Sequence, residues 1–270
     1  FLSVVLWMVV SLPAFTLELE GPLLQGGMVI GRIAPGSSVM LDKQPVAVSA
    51  EGVFVLGFDR DANANATLVV IDPDGNRQQQ VLVIKAREYQ IQRVEGIDKK
   101  IMNPSAESLK RIAEEGALVS QARAATLARL DFAGTFNWPL PGPITGVYGS
   151  QRVYNGVPGR PHYGVDVAAA IGTPVTTPAP GLVTLAHPDM FFSGGTLIID
   201  HGYGISSTLM HLSKVLVEAG QEVKPGDIIA EVGATGRASG PHLDWRMNWF
   251  KVRIDPQLLV APMASLPAGQ

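Results

Sequence analysis

Pro161-His162-Tyr163-Gly164-Val165-Asp166 and Gly240-Pro241-His242-Leu243-Asp244-Trp245 decide how the C-terminal half of this chain is read. Both are short stretches bounded by Pro or Gly in which apolar and polar residues alternate, the pattern of half-buried strands. In an extended strand, residues two apart face one side and lie about 6.6 Å apart. His242 and Asp244 therefore project together, while Leu243 and Trp245 turn to the core. His162 and Asp166 share parity too, but a straight strand would separate them by roughly 13 Å. Two short side chains cannot meet one ion at about 2 Å across that gap. The segment is therefore predicted to bend at Gly164, where no Cβ resists it. A helix would also align residues four apart, but Pro161, Gly164 and Val165 argue against one.

Around these stretches, residues 136–260 alternate between short β runs and Gly or Pro breaks, as in PLPGPITGVYGSQ (139–151), GGTLIIDHGYG (194–204), ISSTLMHLS (205–213) and GDIIAEVG (226–233). A nearly helix-free stretch of this length predicts a compact antiparallel β domain with an open groove. Residues 88–135 differ. After Asn103-Pro104-Ser105, the run AESLKRIAEEGALVSQARAATLARL places apolar residues at helical spacing, with Pro104 in the first turn. One helix, or two broken near Gly116, is expected as a connector. Residues 17–87 hold six or seven short β runs separated by turns such as Asp72-Pro73-Asp74-Gly75. They predict an immunoglobulin-like β-sandwich. It contains no His, and its acids are scattered over turns, so a binding or spacer role is expected. The overall class is thus mainly β.

The apolar run FLSVVLWMVVSLPAF (1–15) is shorter than the ~20 residues that span a bilayer and fits the core of an export signal. Cleavage near residue 16 would leave no stable membrane anchor. Net charge is near −3, which gives a nucleic-acid partner no electrostatic support. The 270 residues contain no cysteine, which excludes disulfides, thiolate metal ligands and thiol catalysis. Any metal must be held by His, Asp or Glu, and there are only five histidines.

Three protein ligands with one open position define a catalytic metal site, whereas a structural site closes all four. His162, Asp166 and Asp244 can supply the three. His211, in Leu209-Met210-His211-Leu212, and His242 are then free as general base and as oxyanion or leaving-group partner. His187, His201 and Asp200 sit at turns or strand ends and read as structural. Tyr163 and Trp249 are candidates for a groove lining, and Arg152 and Arg160 for meeting a substrate carboxylate. The Val223-Lys224-Pro225-Gly226-Asp227 turn also occurs in carrier domains, but the Met-Lys pair those need is missing.

These residues carry a resemblance. The chain from about 136 to 258 resembles the lysostaphin-like (LytM-type) zinc endopeptidases of bacterial cell walls. Their motifs have counterparts, in order, in Tyr148-Gly149-Ser150-Gln151-Arg152, His162 with Asp166, Met210-His211-Leu212, and Gly240-Pro241-His242. The resemblance implies a Zn2+ peptidase acting on peptidoglycan peptides, exported to the periplasm or cell envelope, with His211 and His242 beside the attacking water. It covers a little under half the chain. One position departs from the pattern: Asp244 stands where the family has a histidine ligand. A second carboxylate hardens the site and favours Mn2+ or another oxygen-preferring ion as an alternative. It should also make the water less acidic. The alternative to an active enzyme is a non-catalytic, peptidoglycan-binding regulator of another hydrolase.

Overall fold

The computed structural model describes residues 16–94, 105–124 and 127–263. Of the expected export signal at 1–16, residues 1–15 lie outside the described residues. No helix of the described residues is long and apolar enough to cross a membrane.

The N-terminal part is built from β1 (Glu18–Glu20), β2 (Met28–Arg32), β3 (Ser38–Leu41), β4 (Gln44–Val46), β5 (Val53–Gly57), β6 (Asn65–Ile71) and β7 (Arg77–Val83). They form two antiparallel sheets, ordered β1-β2-β5 and β4-β3-β6-β7. Val29, Phe54, Leu56, Leu68, Val70 and Leu82 fill the space between them. Every residue of β5 is buried, although the opposite face of a sandwich strand normally meets water. The reason is a second core. Val53 and Val55, on the other face of β5, pack with Met28 into the hydrophobic cluster of the C-terminal domain. The run GVFVLGF thus reads apolar at every position because both faces of its strand are covered.

The connecting region holds β8 (Ile91–Val94) and α1 (Ala106–Ala124). The helix runs unbroken through Gly116. The Ser105 hydroxyl accepts from Ser108 N (3.1 Å) as an N-cap, and Pro104, read as part of the first turn, lies outside the described residues. Within the span read as a helical linker, ahead of the helix itself, β8 is an unexpected strand. It pairs in parallel with β10 of the next domain, a long-range partner that no local pattern announces. Phe132, in a short 3-10 turn, and Phe136 then enter the C-terminal core.

The C-terminal domain continues with β9 (Ile144–Gly146), β10 (Gln151–Tyr154), β11 (Val157–Pro158), β12 (Val165–Ala168), β13 (Pro174–Thr176) and β14 (Gly181–Met190). It is completed by β15 (Gly194–Gly202), β16 (Ile205–Val215), β17 (Glu222–Val223), β18 (Ile228–Val232), β19 (His242–Trp249) and β20 (Val252–Ile254). The main path of its large sheet is β17-β14-β15-β16-β19-β12-β9. One face packs Val165, Leu197, Ile199, Leu209, Leu243 and Trp245 into the core. On the other face, the register aligns Leu185, Ile198, Thr208 and Arg246 across four neighbouring strands. Helix α1 lies on that face, through Val119 and Ala122 against Leu185, Met190 and Ile198. Arg111 bonds Asp189 (3.0 Å), and Glu115 accepts from Phe191 N (2.8 Å). The connector therefore packs on the sheet face that carries Asp244 and Arg246, and not on the core face.

Candidate metal centre

Asp166 and Asp244 are direct register partners on β12 and β19, so the sheet itself sets two carboxylates side by side. His162 precedes β12, and the chain bends at Gly164, as the spacing requires. A Cβ on Gly164 would lie 2.6 Å from Trp245 O, Asp244 Oδ1 and Arg246 Cγ. Glycine is thus required there by close approach as well as by the bend. Gly146, opposite Asp166 on β9, leaves room for the Asp166 carboxylate in the same way. The Tyr148-Gly149 motif clamps the backbone of His162: Gly149 N donates to His162 O (2.8 Å) and His162 N to Ser150 O (2.8 Å).

His162, Asp166 and Asp244 each bring one ligand atom to within 4.8 Å of the others. His162 Nε2 and Asp166 Oδ1 approach to 3.2 Å, yet their geometry makes no hydrogen bond, and both atoms are buried without a partner. Orphaned buried polar atoms of this kind need an explanation. A cation bound between them would satisfy both, so these residues fit a metal. Burial opposes charge on His162, but the facing Asp166 and the Asp244 carboxylate outweigh it and raise its pKa. A metal would therefore compete with a proton for His162, so binding weakens as pH falls.

The two remaining histidines are fixed in one tautomer each. His211 Nδ1 lies 2.9 Å from Thr235 O, and His242 Nδ1 lies 2.8 Å from Gly240 O. A carbonyl only accepts, so each Nδ1 carries a proton, and in the neutral ring Nε2 is the nitrogen with the lone pair. His242 Nε2 stands 3.8 Å from Asp166 Oδ1. The two rings lie 4.8 Å apart, tilted by 48°. Burial lowers the pKa of His211, which keeps it neutral and able to take a proton near pH 7. Its backbone has φ +64, an unfavourable left-handed conformation for a non-glycine residue. It is held in place by a His211 N to Ser193 O bond (2.8 Å) and by Thr235. Thr235 Oγ1 also donates to Leu212 O and accepts from Gly195 N. Sequence reading missed Thr235, because its role is set by a loop that meets β16 only in three dimensions.

Asp244 is 2% exposed and is gripped by Arg246, two residues on. Arg246 Nη2 donates to Oδ2 (2.6 Å), and Nε to Oδ1 and Oδ2 (3.0 and 3.1 Å). Burial raises the Asp244 pKa, but the guanidinium charge and hydrogen bonds overcome this and hold it below the usual carboxylate range. Each carboxylate oxygen has two lone-pair sites, so Asp244 can accept from Arg246 and still face a cation. The pair changes the charge account given by sequence alone. Two carboxylates and one guanidinium sum to −1, as one carboxylate with two neutral imidazoles does. Arg246 thereby offsets the extra negative charge that the second aspartate brings.

The other expectations are placed as follows. Trp245 is fully buried in the core. His201 is buried, with its ring nitrogens bonded to Pro180 O (2.6 Å) and Ser207 Oγ (2.8 Å). Asp200 accepts from Gly202 N (2.7 Å), a structural use. His187 lies inside β14 and not in a turn. Trp249 packs between the two hydrophobic cores, away from the groove. Arg152 bonds Gln92 (3.1 Å) on the outer β8-β10 ribbon.

Fold and site together define an antiparallel β domain carrying a His/Asp/Asp cluster that could hold one metal ion, with two histidines beside it. Residues 160–256 match Peptidase family M23, so this part of the chain is a domain of that family. It is 43% identical over 107 residues to the peptidoglycan DD-endopeptidase ShyA of Vibrio cholerae, covering 39% of this chain and 24% of that protein. It is 41% identical over 131 residues to ShyB of the same organism, covering 47% and 29%. The chain spans less than a third of the length of these curated relatives. A crystal structure of a putative peptidase M23 from Pseudomonas aeruginosa superposes with a TM-score of 0.67 at 28% identity. That match covers 88% of this chain and 95% of the other, so the likeness in fold extends to the N-terminal sandwich.

Proposed function

We propose that the protein is a metal-dependent endopeptidase that hydrolyses peptide stems or cross-links of bacterial peptidoglycan. In this reading His162, Asp166 and Asp244 hold one Zn2+. The observation that carries it is the pair of buried, partnerless atoms His162 Nε2 and Asp166 Oδ1, 3.2 Å apart beside Asp244. The ion would supply Lewis acidity to the scissile carbonyl and lower the pKa of the attacking water. His211 and His242 lie side by side next to the centre, and in the neutral rings Nε2 is the nitrogen that can accept a proton. One accepts a proton from the attacking water at Nε2 and, once protonated, passes that same proton to the leaving amine, while the other accepts a hydrogen bond from the water and orients it. The substrate class follows from the relatives named peptidoglycan DD-endopeptidases. The chain acts in the cell envelope, with residues 17–87 as an immunoglobulin-like spacer, 88–135 as connector and 136–260 as the catalytic domain.

One observation favours a second reading. Asp244 already has a fixed cation in Arg246, which is the state a metal-free regulator of another hydrolase would use. Metal analysis of the purified protein, followed by muropeptide digestion with and without chelator, separates the two. The enzyme reading expects one zinc per chain and chelator-sensitive cleavage. A metal-free protein inert on sacculi would overturn it.

A further inference from the structure

The groove face beside the metal centre carries three arginines, and only one of them has a carboxylate. Arg123, from the last turn of α1, donates from Nη2 to Thr208 Oγ1 (2.7 Å), and its Nε is buried without a partner. Thr208 is the register partner of Arg246. Arg253, on β20, is the register partner of Asn248 and donates to Asn248 Oδ1 (3.1 Å). Its guanidinium stands 5.7 Å from the centre of the Tyr163 ring. Thr208, Arg246 and Asn248 occupy neighbouring positions on β16 and β19. At ~4.8 Å between strands and ~6.6 Å per two residues, the three guanidinium groups are anchored within about 10 Å of one another. Arg246 is neutralised by Asp244. Among the described residues, Arg123 and Arg253 form no ion pair. Ser206, the partner of Asn248 on the same floor, leaves its hydroxyl buried and unpaired as well.

Stability alone does not explain this arrangement. A half-buried guanidinium without a counter-ion is costly, and like charges beside it raise the cost. Burial first, then Arg253 and Arg246, push the Arg123 pKa down to about 9. The missing group is an anion. Guanidinium groups converging from a helix and a strand match a planar, two-oxygen acceptor.

We propose that Arg123 and Arg253 form an anion subsite on the groove floor, next to the metal centre, that takes a carboxylate of an acidic peptide. The identity of that anion rests on the peptidase reading given above; the existence of the subsite does not. α1 is then part of the binding surface, because it delivers Arg123 into the groove.

The test uses the full chain, zinc-loaded, at low ionic strength, with glutarate as probe and phosphate as comparator. Arginine Nε–Hε resonances of Arg123 and Arg253 should shift saturably with glutarate. Arg123→Gln and Arg253→Gln should each weaken binding about tenfold or more, the loss expected of a charge-assisted hydrogen bond. Glutarate should raise the melting temperature of the wild type and not of Arg123→Gln. The unliganded Arg123→Gln protein should melt no lower than wild type, since it loses an unpaired charge; a structural arginine would give the opposite. Peptides ending in a carboxylate should be cleaved about tenfold more efficiently than their amides by wild type, with the preference lost in Arg123→Gln. Equal glutarate affinity in wild type and both variants would mean that the metal alone binds it, and would overturn the proposal, as would tighter binding of phosphate than glutarate. Arginine-dependent glutarate binding with no peptide cleaved would support the subsite and sink the peptidase reading instead.

Discussion

Replacing Arg246 by methionine isolates what the Asp244–Arg246 pair does. The carboxylate is 2% exposed, and its hydrogen-bond donors within 3.1 Å are Arg246 Nε and Nη2. Removing one partner of a buried ion pair costs about 3–5 kcal/mol, because the other charge is left without compensation. For a domain of this size 1 kcal/mol corresponds to roughly 2–4 °C, so the metal-free variant should melt roughly 6–20 °C below wild type. Bound zinc restores a positive charge beside Asp244, so the deficit should shrink by at least half at saturating metal. Calorimetric melting of wild type, Arg246→Met, Asp244→Asn and the double variant, each with and without zinc, gives the coupling energy directly. Without metal the double variant should recover most of the loss, since it no longer buries a lone charge. An unchanged metal-free melting temperature for Arg246→Met, or a loss of equal size with and without zinc, would refute the reasoning.

Three further outcomes are expected. His242→Ala should retain zinc at unit stoichiometry and lose about 10²–10⁴-fold in turnover, checked by metal analysis and muropeptide digestion; cleavage at the wild-type rate would remove His242 from the proposed role. Gly164→Ala should lower zinc affinity and melting temperature together, because its new methyl meets the Trp245 carbonyl and the Asp244 carboxylate at 2.6 Å; a well-folded variant with wild-type zinc affinity would contradict this. His201 is fully buried, and burial pulls its pKa from 6.5 to about 4. Its proton therefore binds the unfolded chain more tightly, so its contribution is fully present above pH 6.5 and is lost as pH falls towards 4. That loss amounts to about 3 kcal/mol. Burial raises Asp200 to about 6 and tilts the same range the opposite way, so the difference between wild type and His201→Gln in urea melts from pH 7 to 4, which should grow towards low pH, isolates the histidine.

Much of the site is legible in the chain because it is local. A two-residue spacing on a strand puts His242 and Asp244 on one face whatever surrounds them, and Gly164 marks the bend that brings His162 to Asp166. Trp245 is assigned to the core by the same parity. Turn residues and β runs likewise delimit the strands of both domains. Other features depend on partners distant in sequence. The register of β12 on β19 sets Asp166 against Asp244. The pairing of β8 with β10, the double burial of β5, and the loop that brings Thr235 to His211 are products of long-range packing. Arg246 lies two residues from Asp244 and is on the same face by simple parity, but only rotamers and burial decide whether an arginine there reaches water or grips the carboxylate. The side of the sheet that α1 covers was equally open in sequence. A marginally apolar helix can pack on either face, and only the assembled groove selects the one where Arg123 meets Thr208.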